Sequence, residues 1–184
     1  MIYILYGPPG SGKTSIADSI YIDKLTTHTT RDKRKEEEFG EDYYFINKDE
    51  WKRKYDNDYF LEKTKYHGNY YSLSKAEIQD YIEKGKDAVC VMDIKGVKRL
   101  KTLYPSLVKA IYVNIPATTS FFRVFNRENI INAFKRTYTA IKNSEFDNYD
   151  VADFVLDGRD ALASNTILLK FYIFIQKSTD VNMI

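Results

Sequence analysis

Gly7-Pro8-Pro9-Gly10-Ser11-Gly12-Lys13-Thr14 is the stretch on which the reading of this chain turns. It fits the pattern G-x-x-x-x-G-K-[ST] at every position. Its glycines let successive backbone N–H groups turn toward one point. Those amides, with a helix N-terminus behind them, make an anion site. An ammonium at position 13 can reach the β- and γ-phosphates of a nucleotide, and a hydroxyl at position 14 can ligate magnesium. The flanks agree. Met1–Tyr6 is an apolar run of strand length, and a helix is predicted from Lys13 to about Ile20. The loop points to nucleotide binding and leaves open what receives the phosphate.

Outward from the loop, strands and helices alternate. Leu25–Thr29 reads as a weak strand, and Asp32–Glu38 as a charged surface run. Tyr43–Ile46 is a short strand. Asn47 with Glu50, and Ser74 with Glu77, have capping-box spacing, which predicts helices over Lys48–Tyr55 and Lys75–Lys84. Tyr59–Tyr71, broken at His67-Gly68-Asn69, reads as two strands and a turn. Asp87–Asp93 is a fully buried strand, and Gly96–Leu103 a helix stopped by Pro105. Val108–Ile115 is a strand, with Pro116 opening the next helix. A polar helix over Ile130–Asn143, a strand over Phe154–Leu156 and a C-terminal helix packed on the core complete the order. Such alternation implies parallel pairing and an α/β sandwich. The run of strands in Tyr43–Tyr71 predicts a small antiparallel insert beside the main sheet.

Composition narrows the class. At 184 residues one domain is expected. The 28 basic and 26 acidic residues leave a net charge of +2, which argues against bulk electrostatic binding of nucleic acid. The 43% hydrophobic and 15% aromatic residues argue against disorder. Cys90 is the single cysteine, so a disulfide framework and a cysteine-based zinc site are excluded and a reducing compartment is implied. It reads as a small core residue. His28 and His67 have no metal-ligand spacing and read as structural. No leader is visible, since Met1–Tyr6 is short and lacks a basic start. The apolar run Thr166–Ile175 contains Lys170 and falls short of the ~20 residues of a bilayer span. A soluble cytoplasmic domain without a membrane partner is expected.

A second constellation adds chemistry. Thr26-Thr27-His28-Thr29-Thr30-Arg31-Asp32-Lys33-Arg34 is followed by Glu37, Gly40 and Tyr43. Then come Phe60-Leu61-Glu62, Gly68-Asn69-Tyr70-Tyr71 and Val91-Met92-Asp93-Ile94-Lys95-Gly96-Val97. With the phosphate loop, this order and spacing resembles the guanylate kinases from Ile2 to about Gly158. The resemblance implies a three-layer P-loop kinase sandwich with a mainly parallel central sheet, a small antiparallel NMP-binding insert and a helical lid. It divides the single domain 1–184 into a core (about 1–30, 87–122 and 148–184), an insert (about 31–86) and a lid (about 123–147). The implied reaction is ATP- and magnesium-dependent phosphorylation of GMP or dGMP, in a monomer or homodimer.

The resemblance also assigns residues. Gly7, Pro8, Pro9, Gly10, Ser11, Gly12, Lys13, Thr14 and Arg123 would bind ATP. Thr27, Arg31, Arg34, Glu37, Tyr43, Glu62, Tyr71 and Asp93 would bind GMP. Guanidinium forks at 31 and 34 suit a phosphate dianion, and the tyrosine hydroxyls donate to it. The Glu62 carboxylate can accept from guanine N1–H and the 2-amino group, neither of which adenine offers there. Lys13, Arg31, Arg34, Arg127 and Arg136 would supply the catalytic charge, the last two from the lid, where Arg123 and Arg127 are spaced to share one helix face. Thr14 would hold magnesium, with Asp93 acting through water. An acid closing an apolar strand, as Asp93 does, requires a partner.

Some positions depart from the family. Leu73 stands where Ser or Thr usually bonds guanine O6, so the hydroxyl of Ser72 or Ser74 would have to compensate. The Lys13–Arg31 stretch and the lid are shortened, and Lys95 replaces a glutamine. Leu73 keeps open another acceptor, whether a different nucleoside monophosphate or a ribose bisphosphate, on the same fold. A non-catalytic binding module of this fold is a second alternative, against which Lys13 and Thr14 speak. A mechanical ATPase needs an Asp-Glu pair at a strand end, and Asp93 is followed by Ile94.

Overall fold

The computed structural model describes residues 1–66 and 68–181, so the expectation for His67 lies outside the described residues. Strand β1 (Ile2–Tyr6) runs into the phosphate loop and helix α1 (Lys13–Ser19). There follow β2 (His28–Thr29), β3 (Tyr44–Phe45), α2 (Lys48–Asp56), β4 (Thr64–Tyr66), β5 (Asn69–Ser72) and α3 (Lys75–Glu83). The second half holds β6 (Ala88–Val91), α4 (Ile94–Leu103), β7 (Val108–Asn114), α5 (Ala117–Arg127), α6 (Ile130–Lys142), β8 (Phe154–Asp157) and α7 (Leu162–Val181). The order matches the sequence expectation, with most ends shifted by a residue or two, while β2 starts at His28 rather than Leu25 and β4 at Thr64 rather than Tyr59.

The main sheet has the order β6-β1-β7-β8 and is parallel throughout. Strand alternation divides its side chains between two layers. Ile2, Ile4, Tyr6, Cys90, Ala110 and Tyr112 face Leu73, Ile78, Val97 and Leu100 on one side. Tyr3, Leu5, Val89, Ile111, Val113 and Leu156 face Ile16, Ala17 and Ile20 of the α1 segment and Leu169 and Ile173 of α7 on the other. Helix α7 therefore packs on the core, tied also by a 2.6 Å hydroxyl contact between Ser19 and Thr166.

Three corrections concern the strands. The second sheet, β3-β2-β5-β4, is mixed rather than antiparallel, because β2 and β3 run parallel. The excursion over 30–43 separates them, long enough to return the chain in the same direction, which a hairpin cannot do. The weak strand at Leu25–Thr29 is shared between the sheets. Leu25 N–H donates to Val89 O at 2.8 Å, covering the flank of β6, and His28–Thr29 then pairs with β5. The strand expected over Asp87–Asp93 is shorter because Asp93 leaves it to cap α4, accepting the Gly96 N–H at 2.9 Å.

Asn47 and Ser74 accept from the N–H groups of Glu50 and Glu77, so both predicted N-caps are present. Ser74 lacks the reciprocal half of the box, since the Glu77 carboxylate accepts the Thr26 N–H at 3.1 Å and ties α3 to the inter-sheet strand. Cys90 is fully buried, and burial raises its thiol pKa, as expected of a core residue. His28 lies buried against Tyr44, Tyr59 and Phe60. Burial, with Lys54 nearby, lowers its pKa to about 4, as a neutral structural imidazole requires.

One glycine fixes how the loop leaves the sheet. Gly7 has φ +141°, and a Cβ there would lie 2.5 Å from the Val113 carbonyl oxygen of β7. Gly7→Ala is expected to lower the unfolding free energy by about 2–3 kcal/mol, since the neighbour is backbone and cannot yield. Urea denaturation measures this, and an unchanged midpoint would contradict the close approach.

Candidate active site

A cleft of about 300 Å³ opens where the phosphate loop, the second sheet and α6 meet. Gly7, Pro9 and Lys13 line it from the loop, Thr27, Tyr43 and Tyr71 from the second-sheet side, and Arg136 from α6. Glu62, Thr64 and Asp93 form its acidic end. Charge of both signs thus meets in one concavity, Lys13 and Arg136 with Glu62, Asp93 and Glu145.

The loop is held ready. Lys13 Nζ donates to Gly7 O at 2.9 Å, Pro8 O at 2.7 Å and Ser11 Oγ at 3.2 Å. Burial lowers its pKa to about 8, Glu145 opposing and Arg136 and Arg127 adding to that shift. An ammonium desolvated in this way gains strongly from an arriving phosphate. From outside, Ser120 Oγ donates to Pro9 O at 2.7 Å, and Arg123 to Gly10 O at 3.2 Å and Gly158 O at 2.8 Å.

The acidic end is hydrogen-bonded on all three residues. Glu62 Oε1 accepts the Leu73 N–H at 3.0 Å, and Thr64 Oγ1 lies 3.1 Å from both Glu62 Oε2 and Asp93 Oδ1. Burial raises the Glu62 pKa to about 7, the Leu73 and Thr64 hydrogen bonds pulling it down and Asp93 pushing it up. The partners of Asp93 are therefore Thr64 and the Gly96 N–H. The Leu73 side chain is fully buried in the core, so position 73 offers the cleft no side chain. Ser72 Oγ accepts from Trp51 Nε1 at 3.1 Å, Ser74 caps α3, and neither residue lines the cleft.

Four arginines gather on two carboxylates beside the cleft. Glu37 accepts from Arg31 Nη2 at 2.7 Å, Arg34 Nη1 at 3.4 Å and the Arg34 N–H at 2.9 Å. Burial works against the charge of Glu37, but Arg31 and Arg34 hold its pKa below the ordinary carboxylate value. Glu128, at the α5–α6 turn, accepts from Arg136, from Arg34 Nη2 at 3.3 Å and from Arg127 Nη2 at 3.4 Å. Arg31 also lies over the Tyr43 ring, 5.4 Å from its centroid. Arg136 Nε is buried without a hydrogen-bond partner, a donor available to an anion in the cleft.

Comparisons with known proteins identify the family. The family model described as guanylate kinase matches residues 1–162. The chain belongs to the guanylate kinase family. A guanylate kinase of Wolinella succinogenes is 30% identical, the match covering 91% of this chain and 81% of that one. One of Chlamydia trachomatis is 30% identical, covering 89% and 85%. The crystal structure of guanylate kinase from Anaplasma phagocytophilum shares the fold with a TM-score of 0.73 at 22% identity, covering 96% of this chain and 85% of that one.

Against the guanylate kinase expectations, Gly7, Pro9, Lys13, Thr27, Tyr43, Glu62, Tyr71, Asp93 and Arg136 come together in the cleft. Pro8, Gly10, Ser11 and Gly12 complete the loop behind it. Arg31, Arg34 and Glu37 form the adjoining cluster. Arg123 and Arg127 do not act as one face, since Arg123 turns to the loop carbonyls and Arg127 to Glu128. Thr14 is exposed at the start of α1, in a small recess shared with Thr27 and Tyr43, and does not line the main cleft. Sequence reading missed Glu128, Glu145, Tyr66 and Thr64. Glu128 adjoins Arg127, a weak signal, whereas the other three reach the cleft through tertiary packing alone.

Proposed function

We propose that this chain transfers the γ-phosphoryl group of ATP to the phosphate of GMP or dGMP, giving ADP and GDP or dGDP. The observation that carries the reading is that Lys13 and Glu62 face one cleft, the first suited to transferable phosphates and the second to a guanine edge. In the reaction an oxygen of the acceptor phosphate attacks the γ-phosphorus and the bond to the β-bridging oxygen breaks. The acceptor is already anionic, so positioning and charge stabilisation suffice without a strong base. Lys13 and Arg136 neutralise the moving phosphoryl group, while Arg31, Arg34, Tyr43 and Tyr71 hold the acceptor phosphate. Glu37 and Glu128 keep the arginines gathered until phosphate oxygens replace them. The Arg34–Glu128 contact joins the proposed insert to the proposed lid, and nucleotide phosphates would take over that junction.

Magnesium fits a site supplied mostly by the nucleotide. Among the described residues no group of three or more His, Cys, Asp or Glu side chains is placed to hold a metal. Thr14 presents an exposed hydroxyl at the head of α1, and magnesium prefers phosphate oxygens and water to a full protein cage. Thr14 would contribute that one ligand and Asp93 would act through water, and the metal would supply charge neutralisation between the phosphates. No helix among the described residues is long and apolar enough to cross a membrane.

The alternative acceptors lose their motive, because the Leu73 side chain points into the core and Glu62 remains in the cleft. The binding-module alternative is countered by the intact Lys13 loop. Incubation with ATP, magnesium and GMP, followed by chromatographic separation, is expected to give ADP and GDP in equal amounts. ADP without GDP would overturn the reading.

A pH dependence follows from Glu62. Guanine donors require the ionised carboxylate, and burial has raised its pKa to about 7. The KM for GMP should rise as pH falls from 8 to 6, because the protonated carboxyl cannot accept at both oxygens. The acceptor phosphate titrates separately, near 6. Initial rates across this range test the limb, and a KM flat down to pH 6 would contradict it.

A further inference from the structure

We infer that Thr64 is a specificity-determining positioning residue, whose hydroxyl sets the Glu62 carboxylate to read the guanine edge. This rests on the guanylate kinase reading and adds to it a residue that the family resemblance did not assign. The hydroxyl usual at position 73 is gone, and the Leu73 side chain is buried in the core. What position 73 contributes is its main-chain N–H, 3.0 Å from Glu62 Oε1. Thr64 completes the pair from the other side, with Oγ1 3.1 Å from Glu62 Oε2. One donor on each oxygen fixes the plane of the carboxylate. The remaining lone pairs are then left for the N1–H and 2-amino donors of the base.

Thr64 is suited to this by its place in the fold. It opens β4 and is paired with Tyr71 of β5, so the sheet register holds its hydroxyl against the cleft. The hydroxyl carries one proton and stands 3.1 Å from Asp93 Oδ1 as well. Asp93 Oδ1 also accepts the Gly96 N–H at 2.9 Å, so the single hydroxyl proton is shared between a carboxylate that is already hydrogen-bonded there and Glu62 Oε2.

The test compares wild type with Thr64→Val, which keeps the shape and removes the hydroxyl, and with Thr64→Ser, which keeps the hydroxyl. The dissociation constants of GMP and AMP are measured by calorimetry, with kcat for GMP alongside. For Thr64→Val, GMP affinity is expected to fall by about tenfold or more and AMP affinity to stay within about twofold, with kcat changed by less than about threefold. Thr64→Ser should restore GMP affinity. If Thr64→Val melts early, Thr64→Ala serves under the same criterion at a temperature where it is folded. An unchanged GMP-to-AMP preference in the variants, or an equal loss for both nucleotides, would overturn the role of Thr64 alone. A wild type that does not prefer GMP would overturn the guanylate kinase reading and this inference with it.

Discussion

Replacing Lys13 by methionine is expected to lower kcat with GMP by about a thousandfold or more while leaving the chain folded. The ammonium is the charged group held inside the loop, and its bonds to Gly7 O, Pro8 O and Ser11 Oγ keep it where the transferred phosphoryl group would pass. Methionine fills similar space and carries no charge, so the transition state loses a stabilising cation. GMP affinity should change little, because Glu62, Arg31 and Arg34 belong to other elements. Circular dichroism and a GMP titration separate these effects from unfolding. A variant retaining a tenth of wild-type turnover would contradict the assigned role of Lys13.

The second large effect is expected at Glu62. Glu62→Gln keeps the shape but turns one acceptor oxygen into a donor, which then faces a guanine donor. A site built to hydrogen-bond its substrate loses heavily when one partner is mismatched. The expected fall in kcat/KM for GMP is about 100- to 1000-fold, mostly through KM, with much of the preference over AMP lost. The same substitution should affect stability in the opposite sense. The Glu62 pKa is raised to about 7 in the folded state, above its ordinary carboxylate value of 4.5. Ionisation therefore costs the folded state stability, a cost that grows as pH rises between those values and is complete above about 7. Glu62→Gln should then raise Tm at pH 8 relative to wild type, with the gain shrinking toward pH 5. A gain of equal size at both pH values would contradict the buried-charge explanation, and undiminished GMP selectivity would contradict the reading of the base edge.

The parts of this molecule legible in its sequence are those whose physics is local. The phosphate loop needs only Gly7, Gly10, Gly12, Lys13 and Thr14 in register between a strand and a helix. The N-caps at Asn47 and Ser74 are set by residues three apart. The two-layer core follows from alternation in β1, β6 and β7. What escaped depends on where distant segments meet. Leu73 read as a lost base contact because its motif position adjoins the cleft, yet the backbone there turns the side chain into the core and presents the N–H instead. Thr64 carries no signal of its own, since its meaning comes from β4 pairing with β5 and from Asp93 arriving at the N-cap of α4. Arg123 and Arg127 were spaced for one helix face, but Glu128 and the loop carbonyls draw them apart. The parallel β2–β3 pair is not legible in two-residue strands whose connection has the charge of a surface run.

If one cleft joins a phosphoryl-transfer loop to a guanine-reading carboxylate, acceptor choice follows the base. In an ADP-release assay with ATP, magnesium and a panel of GMP, dGMP, AMP, CMP, UMP, dTMP and ribose bisphosphate, rapid ADP release is expected with GMP and dGMP. Release at least about a hundredfold slower is expected with the others. Equal turnover across the panel, or turnover confined to another acceptor, would contradict the assignment of Glu62 and the guanine reading built on it.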